Sequence, residues 1–251
     1  MTTQEQILRT LSQQEEPPES IARDVLVRTA LADLYTLVDG PVGPVYVSFT
    51  PIGVSSIVPT EDESRFLTDH MNRVGRNAYP GDLPVKLAVR LARVFETGRL
   101  GTLPVDLRVL TDFQRHVLEV TASIPPGQVR PYGWVAREMG KDKAVRAVGS
   151  ALARNPVPIA IPCHRVVRSD GSLGNYAFGA PLKRTLLQHE GMTEFDEDAY
   201  TGCTTTGIYC FATCSHARRV APRNRVAFTN PRQAENAGYR GCKVCRPAPA
   251  Q

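Results

Sequence analysis

The segment Asn155-Pro-Val-Pro-Ile-Ala-Ile-Pro-Cys-His-Arg165 carries the most specific pattern in the chain. It places a thiol beside an imidazole, directly after a run of small and apolar residues. A thiolate is the reactive form of cysteine, and a neighbouring base or cation is the usual means of forming one near neutral pH. The pair Cys163-His164 is therefore a candidate for nucleophilic chemistry, although most buried cysteines are inert packing residues.

Two short helices are predicted directly before this segment. They cover residues 131–140 and 141–154, and a short turn joins them, which is typical of a helix-turn-helix. In the second helix the long cation Arg146 lies among small residues, namely Ala144, Ala147, Gly149, Ser150, Ala151 and Ala153. Small side chains let a helix approach a partner closely. That partner is either DNA or another part of the protein.

The remaining pattern mixes strands and helices, which predicts an α/β (α+β) protein. Residues 1–20 indicate a mobile arm or a loose first helix. Apolar spacing predicts further helices over residues 21–34, 84–95, 112–123 and 182–191. Short runs rich in β-branched residues, separated by Gly and Pro, predict strands over residues 34–38, 45–49 and 54–58.

Length and composition indicate a globular protein of about two domains. The chain has 251 residues, of which 42% are hydrophobic. No run approaches the roughly 20 apolar residues of a membrane helix, and the first residues lack the pattern of a secretory signal. We therefore expect a cytoplasmic protein with no membrane partner.

Positive charge is concentrated at the carboxyl end. Residues 200–251 contain eight Lys and Arg side chains but a single acidic one, Glu235, and so carry a net charge of +7. A basic segment attracts polyanions, of which nucleic acids are the commonest in a cytoplasm. The alternative is that the charge only keeps the protein in solution.

All six cysteines lie after residue 160. Four of them form two close pairs, Cys210 with Cys214 and Cys242 with Cys245. Two such pairs suit either a tetrahedral zinc site or two disulfides. Disulfides conflict with the reducing compartment in which Cys163 would stay a thiol. Zinc is therefore favoured, and Cys203 has no assigned partner.

Five groups of residues resemble the O6-alkylguanine-DNA alkyltransferases in order and in spacing. They are Arg146-Ala-Val-Gly149, Asn155-Pro156, Ile161-Pro-Cys-His-Arg-Val166, Gly174-Asn-Tyr176 and Leu186-Leu-Gln-His-Glu-Gly191. The resemblance is strong over residues 105–191 and weak over residues 34–104. It implies a helical, winged-helix-like catalytic domain preceded by a small ribonuclease-H-like domain.

The resemblance also implies a nucleophile, a base and an orienting group. Cys163 would attack the alkyl carbon on O6 of a damaged guanine, His164 would take the thiol proton through a water, and Glu190 would orient the imidazole. Tyr132 would donate a proton or hydrogen bond to the leaving guanine, and Asn155 would hold the turn that carries the cysteine. The thioether product is stable, so each molecule would act once, as a suicide enzyme.

The implied partner is double-stranded DNA that bears O6-alkylguanine or O4-alkylthymine. The damaged nucleotide would flip out of the duplex, and Arg146 would fill the space that it leaves. The implied DNA-facing residues are Ala144, Ala147, Gly149, Ser150 and Ala153, and the implied base pocket contains Val166, Tyr176 and Ala177. The protein is expected to be a monomer without an organic cofactor.

The cysteine pairs lie within a second resemblance. Thr204-Thr-Thr-Gly-Ile-Tyr-Cys210, Ala237-Gly-Tyr-Arg240 and Cys242-Lys-Val-Cys-Arg-Pro247 resemble the metal-binding module of Ada-type proteins. The resemblance implies structural Zn²⁺ on Cys210, Cys214, Cys242 and Cys245. It further implies that Cys210 accepts methyl groups from DNA phosphotriesters.

The expected organisation has four parts, with an acidic boundary at residues 194–198. An arm and helix occupy residues 1–33, the ribonuclease-H-like domain 34–104, the catalytic and DNA-binding domain 105–193, and the zinc module 200–248. Direct-reversal DNA repair is the favoured function. A non-catalytic alkylation sensor or transcriptional regulator is one alternative, and a hydrolase that uses Cys163, His164 and Glu190 is another.

Overall fold

A computed structural model describes residues 19–169, 172–192 and 200–247. The predicted arm before residue 19 and the acidic boundary at residues 194–198 lie outside the described residues. Within the described ranges, no helix combines the length and apolarity needed to cross a membrane. The structure is a mixture of sheets and helices, so the predicted α/β class is confirmed.

The first part of the chain forms a four-stranded sheet with strand order β3-β2-β1-β4. Strands β1 to β3 are antiparallel neighbours, and β4 runs parallel to β1. The elements before and within the sheet are α1 (Glu19–Arg28), β1 (Asp33–Gly40), β2 (Gly43–Phe49), β3 (Val54–Val58) and β4 (Ala78–Pro80). All three predicted strands are present, but the first helix ends at Arg28 rather than near residue 34.

Two helices accompany this sheet, and one of them was not predicted. Helix α3 (Val85–Thr97) covers the predicted helix at residues 84–95. Helix α2 (Glu63–Val74) has a polar sequence, and only Phe66, His70 and Val74, spaced four residues apart, are buried. The Asp62 side chain accepts a hydrogen bond from the Arg65 backbone, which caps the first turn of α2.

The second part contains the predicted helix-turn-helix. Its elements are α4 (Asp112–Ala122), β5 (Arg130–Pro131), α5 (Tyr132–Glu138), α6 (Val145–Ala153), β6 (Val166–Val167) and α7 (Ala180–His189). The prediction that one helix spans residues 141–154 was wrong at its start, where Asp142–Ala144 forms a 3-10 turn. Gly140, at φ 69°, ends α5 in the left-handed region, and the chain needs this turn before it can re-enter α-helical geometry.

The third part is a small sheet with strand order β10-β8-β7-β9. Short helices α8 and α9 lie between its later strands. The elements are β7 (Tyr200–Cys203), β8 (Ile208–Phe211), α8 (Ser215–Arg218), β9 (Arg225–Phe228), α9 (Pro231–Asn236) and β10 (Arg240–Gly241). This arrangement brings the two cysteine pairs, far apart in the sequence, to one end of β8.

The first sheet supports the segment that carries Cys163. The Ile57 N–H of β3 donates to the carbonyl of Pro156 at 2.9 Å. The Arg73 side chain, from the end of α2, donates to the carbonyls of Ala153 and Asn155 at 2.8 and 3.2 Å. The end of α6 and the turn after it are therefore held by the preceding part of the chain.

Candidate active site and metal centre

Asn155 holds the turn between α6 and Cys163 by three hydrogen bonds. Its Nδ2 donates to the Ile161 carbonyl at 2.9 Å and to the Cys163 Sγ at 3.3 Å. Its Oδ1 accepts from the Val157 N–H at 3.1 Å. Within this turn Ile159 has a φ of 73°, which is strained for a β-branched residue. The Asn155 contacts hold the backbone in a shape that the local sequence alone would not favour.

Cys163 begins a 3-10 turn, Cys163–Arg165, and its side chain is almost wholly buried. Burial raises the pKa of the Cys163 thiol, and the Asn155 hydrogen bond together with the nearby Lys183 only partly oppose that shift. The resting group is therefore a thiol at neutral pH. Chemistry at this sulfur requires a base that removes the proton.

His164 and Glu190 form a buried pair. His164 Nε2 lies 2.9 Å from Glu190 Oε1, and His164 Nδ1 has no hydrogen-bond partner among the described residues. Burial lowers the pKa of His164, against the opposing effect of Glu190, so the neutral imidazole dominates at neutral pH. If Nε2 carries the hydrogen and donates it to Glu190, Nδ1 has a free lone pair and can act as a base.

Arg165 explains why Glu190 stays ionised although it is buried. The guanidinium donates to both carboxylate oxygens, with Nε at 3.0 and 2.9 Å. Burial alone would raise the pKa of Glu190, but the hydrogen bonds from His164 and Arg165 outweigh it and lower the pKa to about 2. Glu190 therefore carries a fixed negative charge beside the imidazole.

Cys163 lies in the wall of an open pocket of about 600 Å³. Eight of the predicted site residues line this pocket, namely Tyr132, Arg146, Gly149, Ser150, Ala153, Cys163, Tyr176 and Ala177. Burial raises the pKa of Tyr132, so its phenol stays protonated and can donate. Burial and the neighbouring Cys163 raise the pKa of Tyr176 well above its usual range, so its phenol also stays protonated.

The other predicted residues lie outside this pocket. His164 and Glu190 line a smaller cavity of about 230 Å³ together with Gly98. Ala144 belongs to the 3-10 turn before α6, and Ala147 is exposed on α6. Val166 is buried in β6, where its carbonyl accepts a hydrogen bond. The predicted roles of all these residues stay predictions.

The structure adds two polar residues that no prediction singled out. Lys183 is wholly buried on α7, and its Nζ donates to the carbonyls of Val166 and Leu173 at 2.6 and 2.5 Å. Burial lowers the pKa of Lys183 to about 8. Its position three residues before the buried Leu186 was a usable sequence signal. Arg165 lay inside the quoted motif, but its contact with Glu190 joins residues that are 25 positions apart.

The four paired cysteines form one buried cluster. Their Sγ atoms all lie within 4.8 Å of one another, and none of them is in a disulfide. Zn–S bonds of about 2.3 Å place the sulfur atoms of a tetrahedral site about 3.8 Å apart, so the cluster fits zinc. Contact with Cys214 and Cys245, together with burial, raises the pKa of Cys210. Four adjacent thiolates therefore require a cation.

Family models match two parts of the chain. The model described as "6-O-methylguanine DNA methyltransferase, DNA binding domain" matches residues 112–192. A methylated-DNA–protein-cysteine methyltransferase of Methanosarcina barkeri is 33% identical over 162 residues, which are 62% of this chain and 96% of that protein. The chain belongs to the methylated-DNA–protein-cysteine methyltransferase family. A crystal structure of Mycobacterium tuberculosis OGT in complex with DNA agrees, with 32% identity, a TM-score of 0.52, and coverage of 62% of this chain and 92% of that one.

The second model, described as "Metal binding domain of Ada", matches residues 186–248. Together with the four-cysteine cluster, it shows that this methyltransferase carries a zinc-binding module. The bifunctional transcriptional activator/DNA repair enzyme Ada of Escherichia coli is 38% identical over 168 residues. That match covers 65% of this chain and 47% of Ada, so the chain spans about half the length of that relative.

Proposed function

We propose that this methyltransferase repairs DNA by moving the alkyl group of O6-alkylguanine, and also of O4-alkylthymine, to Cys163. The observation that carries the proposal is a protonated, buried thiol in the wall of an open pocket, beside a neutral imidazole that is paired with a fixed carboxylate. Zinc bound at the four-cysteine cluster would stabilise the fold of the module and would take no part in this transfer.

The reaction forms an S–C bond and breaks the bond between that carbon and O6. His164 Nδ1 takes the Cys163 proton through a water, and Glu190 stabilises the resulting imidazolium. The electron pair of the broken bond stays on the base, which leaves as guanine after it gains a proton. Tyr132, at the pocket wall, donates a hydrogen bond to that base as charge develops.

Irreversibility follows from the product. A thioether has no activated leaving group, and the described lining residues of the pocket include neither a second thiol nor a metal ligand set. Each molecule therefore acts once and ends as an alkylated protein. This outcome separates the proposal from a thiol hydrolase, which would regenerate Cys163.

The proposed substrate is duplex DNA with the damaged nucleotide flipped into the pocket. Arg146 is exposed on α6 at the rim of that pocket, and its neighbours Gly149, Ser150 and Ala153 are too small to obstruct a backbone. A long cation on a slim helix suits the space that the flipped base leaves in the stack. We further propose that the monomer binds the lesion and works in a cytoplasmic compartment that keeps its cysteines reduced.

The intact mass of the protein tests the transfer. After incubation with duplex DNA that bears one O6-methylguanine, the protein should gain one methyl group, and the Cys163→Ala variant should gain none. An unchanged mass beside an intact lesion would overturn the proposal. Loss of the lesion with an unchanged mass would favour the hydrolase.

We also propose that Cys210 accepts a methyl group from DNA phosphotriesters. Cys210 lines a second pocket, of about 470 Å³, together with His216 and Arg219. The guanidinium of Arg219 suits contact with a phosphate backbone. DNA that bears a single methyl phosphotriester should label Cys210, while Cys210→Ala should stay unlabelled. Failure of this label would leave the transfer to Cys163 untouched.

The alternative role as an alkylation sensor has one supporting observation. The E. coli relative is named as a transcriptional activator as well as a repair enzyme. A sensor would bind one DNA sequence more tightly after methylation. Comparing the affinity of the methylated and unmethylated protein for a panel of promoter fragments would reveal such a change.

A further inference from the structure

Arg130 lies at the contact between the catalytic domain and the metal module. It is 4% exposed, and its guanidinium carbon is 5.6 Å from the ring centroid of Trp134 and 5.1 Å from that of Phe211. Trp134 belongs to α5, whereas Phe211 ends β8 between Cys210 and Cys214. The guanidinium therefore reaches from β5 to the edge of the cysteine cluster.

Both cysteine pairs touch the catalytic domain near Arg130. The Trp134 Nε1 donates to the carbonyl of Cys245 at 3.0 Å. The Val129 N–H donates to the Thr213 hydroxyl at 3.0 Å, directly before Cys214. The position of the cluster relative to Arg130 is thus fixed by one hydrogen bond to Cys245 and one to the residue before Cys214.

The described residues offer Arg130 no carboxylate. Its side chain donates to the Val129 carbonyl and to Gln128 Oε1, at 2.7 and 2.6 Å, and no acidic group in the described parts of the chain lies within ion-pair distance. A buried cation without a counter-charge is costly. Burial lowers the pKa of Arg130, and the negative charge of the four cysteines opposes this shift.

We propose that Arg130 is the counter-cation of the four-cysteine metal centre, supplied to the module by the catalytic domain. Four thiolates around a divalent zinc ion carry a net charge of −2, and one buried guanidinium halves it. Burying the positive charge of Arg130 in an apolar contact is costly by itself, and the negative charge of the metal centre offsets that cost. The metal site of this chain thus extends beyond the module that holds its ligands.

The affinity of the reduced, full-length protein for zinc tests this proposal, measured by competition with a chromophoric chelator. Groups just outside the ligand sphere typically change metal affinity about 10- to 100-fold. Arg130→Met keeps an unbranched stem between the two rings but removes the charge, so we expect a loss in that range. Arg130→Lys keeps the charge and should stay within about threefold of the wild type.

Arg137→Met is the matched control for the contact itself. Arg137 donates to the carbonyl of Arg246 across the same contact and is not buried. It should therefore leave zinc affinity within about threefold of the wild type. Fluorescence of Trp134, the only tryptophan, reports whether the two parts remain docked in each variant.

Three outcomes would overturn the proposal. They are wild-type affinity in Arg130→Met, a loss of affinity in Arg137→Met as large as in Arg130→Met, and a tenfold or greater loss in Arg130→Lys. If Arg130→Met does not fold, Arg130→Lys decides alone, because it retains the charge and loses the planar stacking group. The result does not depend on whether Cys163 or Cys210 accepts methyl groups.

Discussion

Cys163 and the four-cysteine cluster place the same functional group in two different electrostatic settings. Cys163 is a single buried thiol whose pKa is raised and whose neighbour His164 is a neutral imidazole. The cluster holds four thiols within 4.8 Å of one another, beside a buried guanidinium. Cys163 keeps its proton until a base removes it. The four cysteines of the cluster lose their protons when they bind a metal cation.

Burial alone therefore does not decide what a cysteine does. All five of these cysteines are buried. The number of neighbouring thiols and the charge around them separate a nucleophile from a ligand. The contact through Arg130 and Trp134 then joins the two settings in one structure.

Of the changes considered, removing the metal from the four-cysteine cluster should have the largest effect on the protein. Structural zinc contributes about 10 kcal/mol or more to the folding of small cysteine modules. After chelation, a thiol reagent should titrate four additional cysteines quickly, and the emission of Trp134 should shift to longer wavelength as its bond to Cys245 is lost. Cys163→Ala serves as the control and should show the same increase of four. An unchanged thiol count would contradict the assignment of the cluster.

Replacing the proposed base, His164, should affect chemistry at Cys163 and leave the four-cysteine cluster unchanged. His164→Ala is expected to slow methyl transfer from duplex DNA about 10²- to 10⁴-fold, because a positioned general base typically contributes that much. Single-turnover rates measure the change, with zinc content unaltered. His189→Ala is the control, since His189 is exposed at the end of α7, directly before Glu190. An equal loss in both variants would exclude a specific role for His164.

Much of this comparison could be predicted from the sequence. The Cys163-His164 motif, the small-residue helix and the two cysteine pairs are local patterns, and the structure brings Cys163 and the small-residue helix to one pocket. Helix α2 was missed because only every fourth residue of its polar sequence is buried. Lys183 and Arg130 were missed because long cations are usually exposed. Their burial depends on partners far along the chain, such as Phe211 for Arg130.

Acid should lower the free energy of unfolding through protonation of Glu190. Its pKa falls from an ordinary 4.5 to about 2 in the folded protein, so its contribution is complete above pH 4.5 and is lost as the pH falls towards 2. A shift of that size corresponds to about 3 kcal/mol. The free energy of unfolding, measured in urea between pH 6 and pH 2, should lose this portion of its pH dependence in Glu190→Gln.

Asp112→Asn is the control for that profile. Asp112 pairs with Arg115 on the surface and its side chain is 97% exposed, so its removal should leave the profile nearly unchanged. Profiles of wild type and Glu190→Gln that run parallel down to pH 2 would show that the carboxylate does not stabilise the fold.

The smallest effect is expected from replacing Arg146, which is proposed to contact the DNA. Arg146→Ala should slow transfer from duplex DNA by about tenfold or more, because unstacking a base costs a few kcal/mol that the inserted side chain partly offsets. Transfer from the free base O6-methylguanine should be unchanged. Arg154→Ala removes an exposed cation from the end of the same helix and should have a weaker effect. A similar loss with both substrates would argue against insertion into the stack.

Mapping the methylated cysteine is the decisive test of alkyl transfer to Cys163. The zinc-loaded protein is incubated with duplex DNA whose only lesion is one isotopically labelled O6-methylguanine, then digested and sequenced by tandem mass spectrometry. We expect one stoichiometric label, on Cys163, and none on Cys210, Cys214, Cys242 or Cys245. A label on any cysteine of the cluster, or a repaired lesion with no labelled cysteine, would contradict this expectation.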